Sequence, residues 1–106
     1  MDGPRVYWTV FVYLVAGKTA VFQSYESQAA AIMADHGGRF ELVLRPDEIS
    51  GGEVLPDEIH VLSFASEDGF VNYRQDPRSQ ALAPLREESV ARALFVRGVR
   101  LANYGE

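Results

Sequence analysis

"VYWTVFVYLV", Val6 to Val15, decides the fold. All but one of its residues are β-branched or aromatic, which favours an extended strand over a helix. Alternation puts Val6, Trp8, Val10, Val12 and Leu14 on one face and Tyr7, Thr9, Phe11, Tyr13 and Val15 on the other. Both faces are apolar. Such a strand has to be covered on two sides, normally by helices on one and by another layer on the other.

Downstream, Phe22, Tyr25, Ala29, Ile32 and Met33 recur at helical spacing and predict a helix over Thr19 to His36. Gly37 and Gly38 then supply the positive φ expected of a helix stop and its exit turn. "RFELVLR" from Arg39 alternates Phe40, Leu42 and Leu44 against Arg39, Glu41, Val43 and Arg45, a half-buried strand. The stretch Pro46 to Glu58, with its prolines, paired glycines and acids, is a surface loop. Ile59 to Phe64 is a third strand, and Ser66 with Glu67 and Asp68 has the pattern of an N-cap and acidic first turn. A short helix carrying Phe70 and Tyr73 is broken at "DPR", Asp76 to Arg78. Helical spacing resumes through Leu82, Leu85 and Val90, with Pro84 in a first turn, where its missing N–H costs little. A fourth strand begins at Ala93.

The order β-α-β-β-α-β predicts an α+β, ferredoxin-like antiparallel sheet with helices on one face. The other face of the first strand then lacks a cover. Four large apolar side chains there represent roughly 6 to 10 kcal/mol of burial not realised in a monomer. The expected partner is a second copy, giving a homodimer packed sheet against sheet.

Composition narrows the remaining classes. The chain of 106 residues is read as a single domain, residues 1–106 with a core over 6–101. Ten basic against fifteen acidic side chains give a net charge of -5, which disfavours nucleic acid and anionic lipid. Cysteine is absent, so disulfides, thiolate catalysis and cysteine zinc sites are excluded, in keeping with a reducing cytoplasm. Val6 to Ala16 is too short for a membrane span and poorly flanked for a signal peptide. A cytoplasmic protein without a membrane partner is expected.

"YESQAAAIMADHGGRFELVLRPDE", "EIHVLSFASEDGFVNYRQDPR" and "LAPLREESVARALFVRG" together resemble members of the domain-of-unknown-function family 1330, in the dimeric α/β-barrel superfamily. The resemblance runs from about Val6 to Gly98. Its most specific parts are "HGG" at His36 to Gly38, "VLSFAS" at Val61 to Ser66 and "YRQDPR" at Tyr73 to Arg78. A weaker similarity, through Ala16 to Glu26 and the same "DPR", points to NIPSNAP-like proteins. The acidic Pro46 to Glu58 loop is longer than the family's usual connection. The resemblance implies a ferredoxin-like fold and a dimer. It implies no one reaction, because the superfamily spans cofactor-free monooxygenases, haem enzymes, lactone isomerases and ligand-sensing domains. Many of these hold a small ligand between sheet and helices.

The candidate site residues are Tyr25, His60, His36 and Tyr73. His60 interrupts an apolar strand face, the kind of exception that lines pockets, although a hydrogen-bonded core histidine has the same signature. His36 is either a general acid or base near Asp35 and Arg39, or a residue of the last helical turn meeting the helix dipole. Tyr25 lies on the apolar stripe, so it is either a core residue or one whose hydroxyl reaches a cleft; Tyr73 and Arg74 offer a phenol and a guanidinium to an acidic or carbonyl ligand, unless Arg74 lies on a solvated face. Neither histidine has a nearby metal partner at helical spacing, and the loop's five carboxylates lack the order of an EF-hand, so no metal or cofactor is assigned. "AGKT" lacks the first glycine of a P-loop, Val12 standing in its place. The expected function is binding of a small organic ligand in a cleft between sheet and helices. The alternatives are a cofactor-free monooxygenase-like enzyme and a non-catalytic dimeric interaction module.

Overall fold

A computed structural model describes residues 4–105. β1 (Val6–Leu14), α1 (Thr19–Ala34), β2 (Gly38–Leu44) and β3 (Glu58–Phe64) are followed by α2 (Glu67–Gln75), α3 (Pro77–Gln80), α4 (Ala83–Ser89) and β4 (Val90–Gly98). The strands form one antiparallel sheet in the order β2-β3-β1-β4. The fold is therefore α+β and ferredoxin-like. β1 lies between β3 and β4, the interior position its composition calls for.

Register settles which face of β1 goes inside. Val6, Val10 and Val12 are buried and stand opposite Phe64, His60 and Glu58 of β3. Phe22 and Met33 of α1 pack on this face and complete a core with Leu62 and Phe64. A second cluster, Ala29, Ile32 and Leu82, joins α1 to the segment before α4. The opposite face carries Tyr7, Thr9, Phe11 and Tyr13 beside Ile59 and Val61 of β3 and Leu94 and Val96 of β4. Among the described residues no helix covers it, and Leu94 and Val96 are 42% and 55% exposed.

Strict alternation in β2 does not hold. The register shifts between Phe40 and Leu42, so that Phe40 pairs with Leu62 and Val43 with His60. An extra residue at Glu41 reverses the parity of everything after it. Val43 consequently shares the helix side with Phe40, while Leu42 and Leu44 turn to the open face.

The two glycines before β2 have different jobs. Gly37 has φ +75°, which suits glycine, but Gly38 has no positive φ. A Cβ on Gly38 would lie 2.5 Å from the Phe64 ring, so here glycine is required for close approach. Helix α1 ends at Ala34 rather than running to His36, with Asp35 as its C-cap.

Ser66 caps α2 as its sequence suggests, accepting a hydrogen bond from Gly69 N at 3.0 Å. Asp76 leaves α2 in an extended conformation and caps α3, with Pro77 in the first turn. Pro84 occupies the first turn of α4. The second helical region is thus three short pieces, and Val90 starts β4 instead of ending a helix. The acidic loop is pinned to β1 at its end: Asp57 N donates to Val12 O at 2.8 Å, and its carboxylate accepts from Leu14 N at 2.7 Å. Among the described residues no helix is long and apolar enough to cross a membrane.

Candidate functional site

The helices do not close completely over the sheet. A cavity of about 590 Å³ has Val10, Val12 and Leu62 in its floor and is bounded by α1, α2 to α4 and the start of β4. Three residues singled out from sequence, Tyr25, His60 and Tyr73, line it. A second cavity of about 470 Å³ lies between α1 and β2, lined by Gln23, Ser27, Ala30 and Val43. Phe22, Glu26, Phe40 and His60 line both and form a shared wall.

His60 owes its position to strand alternation, which turns it inward with Leu62 and Phe64. It is 4% exposed. Its ring lies near-parallel to Phe22 at 6.0 Å between centroids and edge-on to Phe40 at 5.4 Å. Nε2 is 2.8 Å from Glu58 Oε1, and Nδ1 is 3.9 Å from Glu26 Oε2. Glu58 shares the face of His60 because it is two residues away on the strand. Glu26 reaches the same ring because it follows Phe22 by four residues on the helix.

The result is an imidazole set between two carboxylates inside an apolar shell. Burial pushes the Glu26 carboxyl up to about 7, and the nearby Glu58 charge adds to the effect. Glu26 can therefore take up or release a proton near neutrality. Among the described residues no group of three or more His, Cys, Asp or Glu side chains is arranged to hold a metal ion.

The rest of the polar lining is phenolic and cationic. Burial raises the Tyr25 hydroxyl, the Glu26 charge raises it further, and the Arg86 guanidinium beside it pulls the other way. Tyr73 is pushed up to about 12, by burial first and by neighbouring Tyr25 second. Both tyrosines therefore stay protonated at neutral pH and can donate hydrogen bonds. The Arg74 and Arg86 side chains line the cavity with Glu26 and Glu87, while Arg92, on the strand behind, turns its guanidinium to the open sheet face, 5.1 Å from the Tyr13 ring centroid.

His36 is elsewhere. It does not line either cavity, and its ring nitrogen Nε2 is 2.9 Å from Asp76 Oδ2. Arg78 completes this second network, binding Asp76 Oδ2 at 2.8 Å and Asp35 Oδ2 at 2.9 Å. The Arg78 and His36 hydrogen bonds hold the Asp76 carboxyl well below the usual carboxylate range. Neither Asp35 nor Arg39 supplies the His36 ring's partner. The network ties the end of α1 to the α2–α3 joint, so "HGG" and "YRQDPR" meet in space.

Among the wall residues not singled out from sequence are Glu26, Glu58 and Arg86. Glu26 had a legible signal, since on a helical wheel it falls within 40° of Phe22 and close to Met33, inside the apolar stripe. Glu58 was signalled by its period-two spacing from His60. Arg86 had none: its approach to Tyr25 depends on how α4 folds back over α1.

A family model described as "Domain of unknown function (DUF1330)" matches residues 5–99. No curated protein matches the chain. A protein of unknown function from Rhodopseudomonas palustris superposes with a TM-score of 0.86 at 15% identity, covering 96% of this chain and 87% of its own. SnoaB, a cofactor-independent oxygenase from Streptomyces nogalater, gives 0.71 at 14% identity over 98% and 100%. A protein from Thermobifida fusca described as a dimeric ferredoxin-like protein of unknown function gives 0.67 at 14% identity over 92% of each chain. A NIPSNAP family protein with unknown function, from Agrobacterium tumefaciens, gives 0.61 at 20% identity over 93% and 92%. At these identities the likeness is one of fold.

Proposed function

The chain belongs to the domain of unknown function family DUF1330, and from that premise we propose that it is a homodimer holding a small organic ligand in the cleft between sheet and helices. The observation that carries this reading is the cavity of about 590 Å³, open inside the fold and lined by an apolar floor with convergent polar groups. That size and lining are those of small-molecule sites. Tyr25, His60 and Tyr73 are the ligand contacts in this reading, and His36 acts as a structural tie outside the cleft.

The dimer is supported by the uncovered sheet face and by the surface total. The chain exposes 7118 Å², about 1,200 Å² more than the roughly 5,900 Å² expected of a compact monomer of its mass. A standard interface removes about 800 Å² from each partner. The radius of gyration, 14.7 Å, likewise exceeds the roughly 13 Å of a compact chain this long. Sedimentation at micromolar concentration should give a dimer, and a monomer there would refute that half of the proposal.

For the ligand, the test is capture from metabolite extract read by mass spectrometry, run on the wild type and on His60→Ala. A compound retained by the wild type and reduced in the variant is expected. Retention of nothing by either would overturn the reading. The resemblance to a cofactor-independent oxygenase extends this reading to chemistry without a bound cofactor. The non-catalytic alternative calls for a cleft filled by its own side chains.

A further inference from the structure

Beyond binding, the cleft contains the parts of a proton-transfer site. Glu26 stands at the wall shared by the two cavities, 3.9 Å from Nδ1 of His60, whose Nε2 is held by Glu58 at 2.8 Å. The larger cavity is also lined by phenols that stay protonated, Tyr25 and Tyr73, and by the guanidinium groups of Arg74 and Arg86. Some of these groups can accept a proton from a ligand, and others can stabilise negative charge that develops on it. Between them the floor is apolar, formed by Val10, Val12 and Leu62.

We propose that the cleft catalyses keto–enol tautomerisation of small 2-oxo acids with an apolar side chain, with Glu26 as the base, His60 as its proton relay and Arg86 with Tyr25 stabilising the enolate. The proposal rests on the reading of this cleft as a ligand site. The Arg74 guanidinium takes the carboxylate, and the apolar floor takes an aryl or branched alkyl group. Glu26 removes a proton from the carbon next to the carbonyl. The C–H pair becomes the C=C bond, and the carbonyl π pair moves to oxygen, which accepts hydrogen bonds from Arg86 and Tyr25. The proton then returns through the Glu26–His60 pair to the enolate oxygen. Atoms and charge balance without an oxidant or co-reactant.

His60 is placed for the relay. With Nε2–H donated to Glu58, its Nδ1 lone pair faces Glu26, and the imidazolium formed on protonation lies between two carboxylates. The titratable and charged groups that line the two cavities with Glu26 are Tyr25 from α1, Glu58 and His60 from β3, Tyr73 and Arg74 from α2, and Arg86 and Glu87 from α4. Burial among these groups brings Glu26 near the pH at which a base is both ionised and strong enough to act.

The test uses the whole protein with two probes, phenylpyruvate and 4-methyl-2-oxopentanoate, and follows deuterium exchange at the carbon beside the carbonyl by proton NMR. A third compound, 3-phenylpropanoate, has the carboxylate and aryl group but no ketone, and its saturation-transfer signal reports binding alone. Wild type should accelerate exchange on the order of 100-fold over buffer at neutral pH, a usual contribution for a placed base. Glu26→Gln should fall to within about twofold of buffer while still binding 3-phenylpropanoate, since the amide keeps the shape and loses the base. His60→Asn should slow exchange and shift the pH at which the rate rises. Binding of 3-phenylpropanoate without accelerated exchange would overturn the catalytic proposal and leave the ligand reading standing. Equal exchange by wild type and Glu26→Gln would overturn the assignment of the base. Failure of both binding and exchange would remove the ligand reading and this proposal together.

Discussion

Replacing Glu26 by glutamine should make the protein more stable at alkaline pH and flatten its dependence on pH. The ordinary glutamate value of 4.5 is displaced to about 7 in the fold. The folded chain therefore holds a proton that the unfolded chain has released, and between these values stability falls as pH rises. The destabilisation starts above 4.5 and is complete once the pH has passed about 7. A displacement of this size corresponds to roughly 3.5 kcal/mol at most, at about 1.4 kcal/mol per tenfold change in acidity. The Glu26 side chain retains 25% of its exposure, so solvent screening reduces the expected effect to about 1 to 2 kcal/mol. Urea unfolding at pH 5.5 and pH 8, at fixed protomer concentration, measures it. Wild type should lose about that amount relative to Glu26→Gln over the interval. Parallel pH profiles for the two proteins would refute the account of Glu26 as a buried carboxylate poised near neutrality.

Gly38→Ala should cost about 1 to 3 kcal/mol by forcing the Phe64 ring aside, measured as a lower urea midpoint with unchanged slope. Asp76→Asn should lower the melting temperature at neutral pH and leave 3-phenylpropanoate binding intact. The depressed Asp76 acidity makes its contribution one that is present above the unfolded value and lost only in strong acid, so the difference from wild type should vanish there. His36→Gln should also leave binding unchanged, because the ring faces Asp76 rather than the cleft. Phe11→Asp with Leu94→Asp, on the uncovered sheet face, should convert a dimer to a monomer in sedimentation without emptying the cleft.

Much of this was legible in sequence because it is local. The apolar faces of Val6 to Val15, the stripe from Phe22 to Met33, the Ser66 cap and Pro84 in a first turn each follow from backbone geometry over a few residues. What failed to read depends on tertiary placement. The bulge at Glu41 cannot be told from continued alternation, because Leu42, Val43 and Leu44 are apolar in either parity. Gly38 looks like a turn residue until Phe64, from another strand, is placed over it. His36 finds its partner 40 positions away, through the break at Asp76 that also splits the helical region. At the site, Tyr25, His60 and Tyr73 could be named from their faces. Their joint lining of one cavity, and the approach of Arg86, required the fold.

In the proposed reading a small organic anion occupies the cleft between sheet and helices. Amide and side-chain shift changes on titrating 3-phenylpropanoate into the labelled protein test it most directly. The account predicts saturable changes at Tyr25, Glu26, His60, Tyr73 and Arg86, with Phe11 and Leu94 on the open sheet face unmoved. Changes confined to the sheet face, or none at the cleft at millimolar ligand, would contradict it.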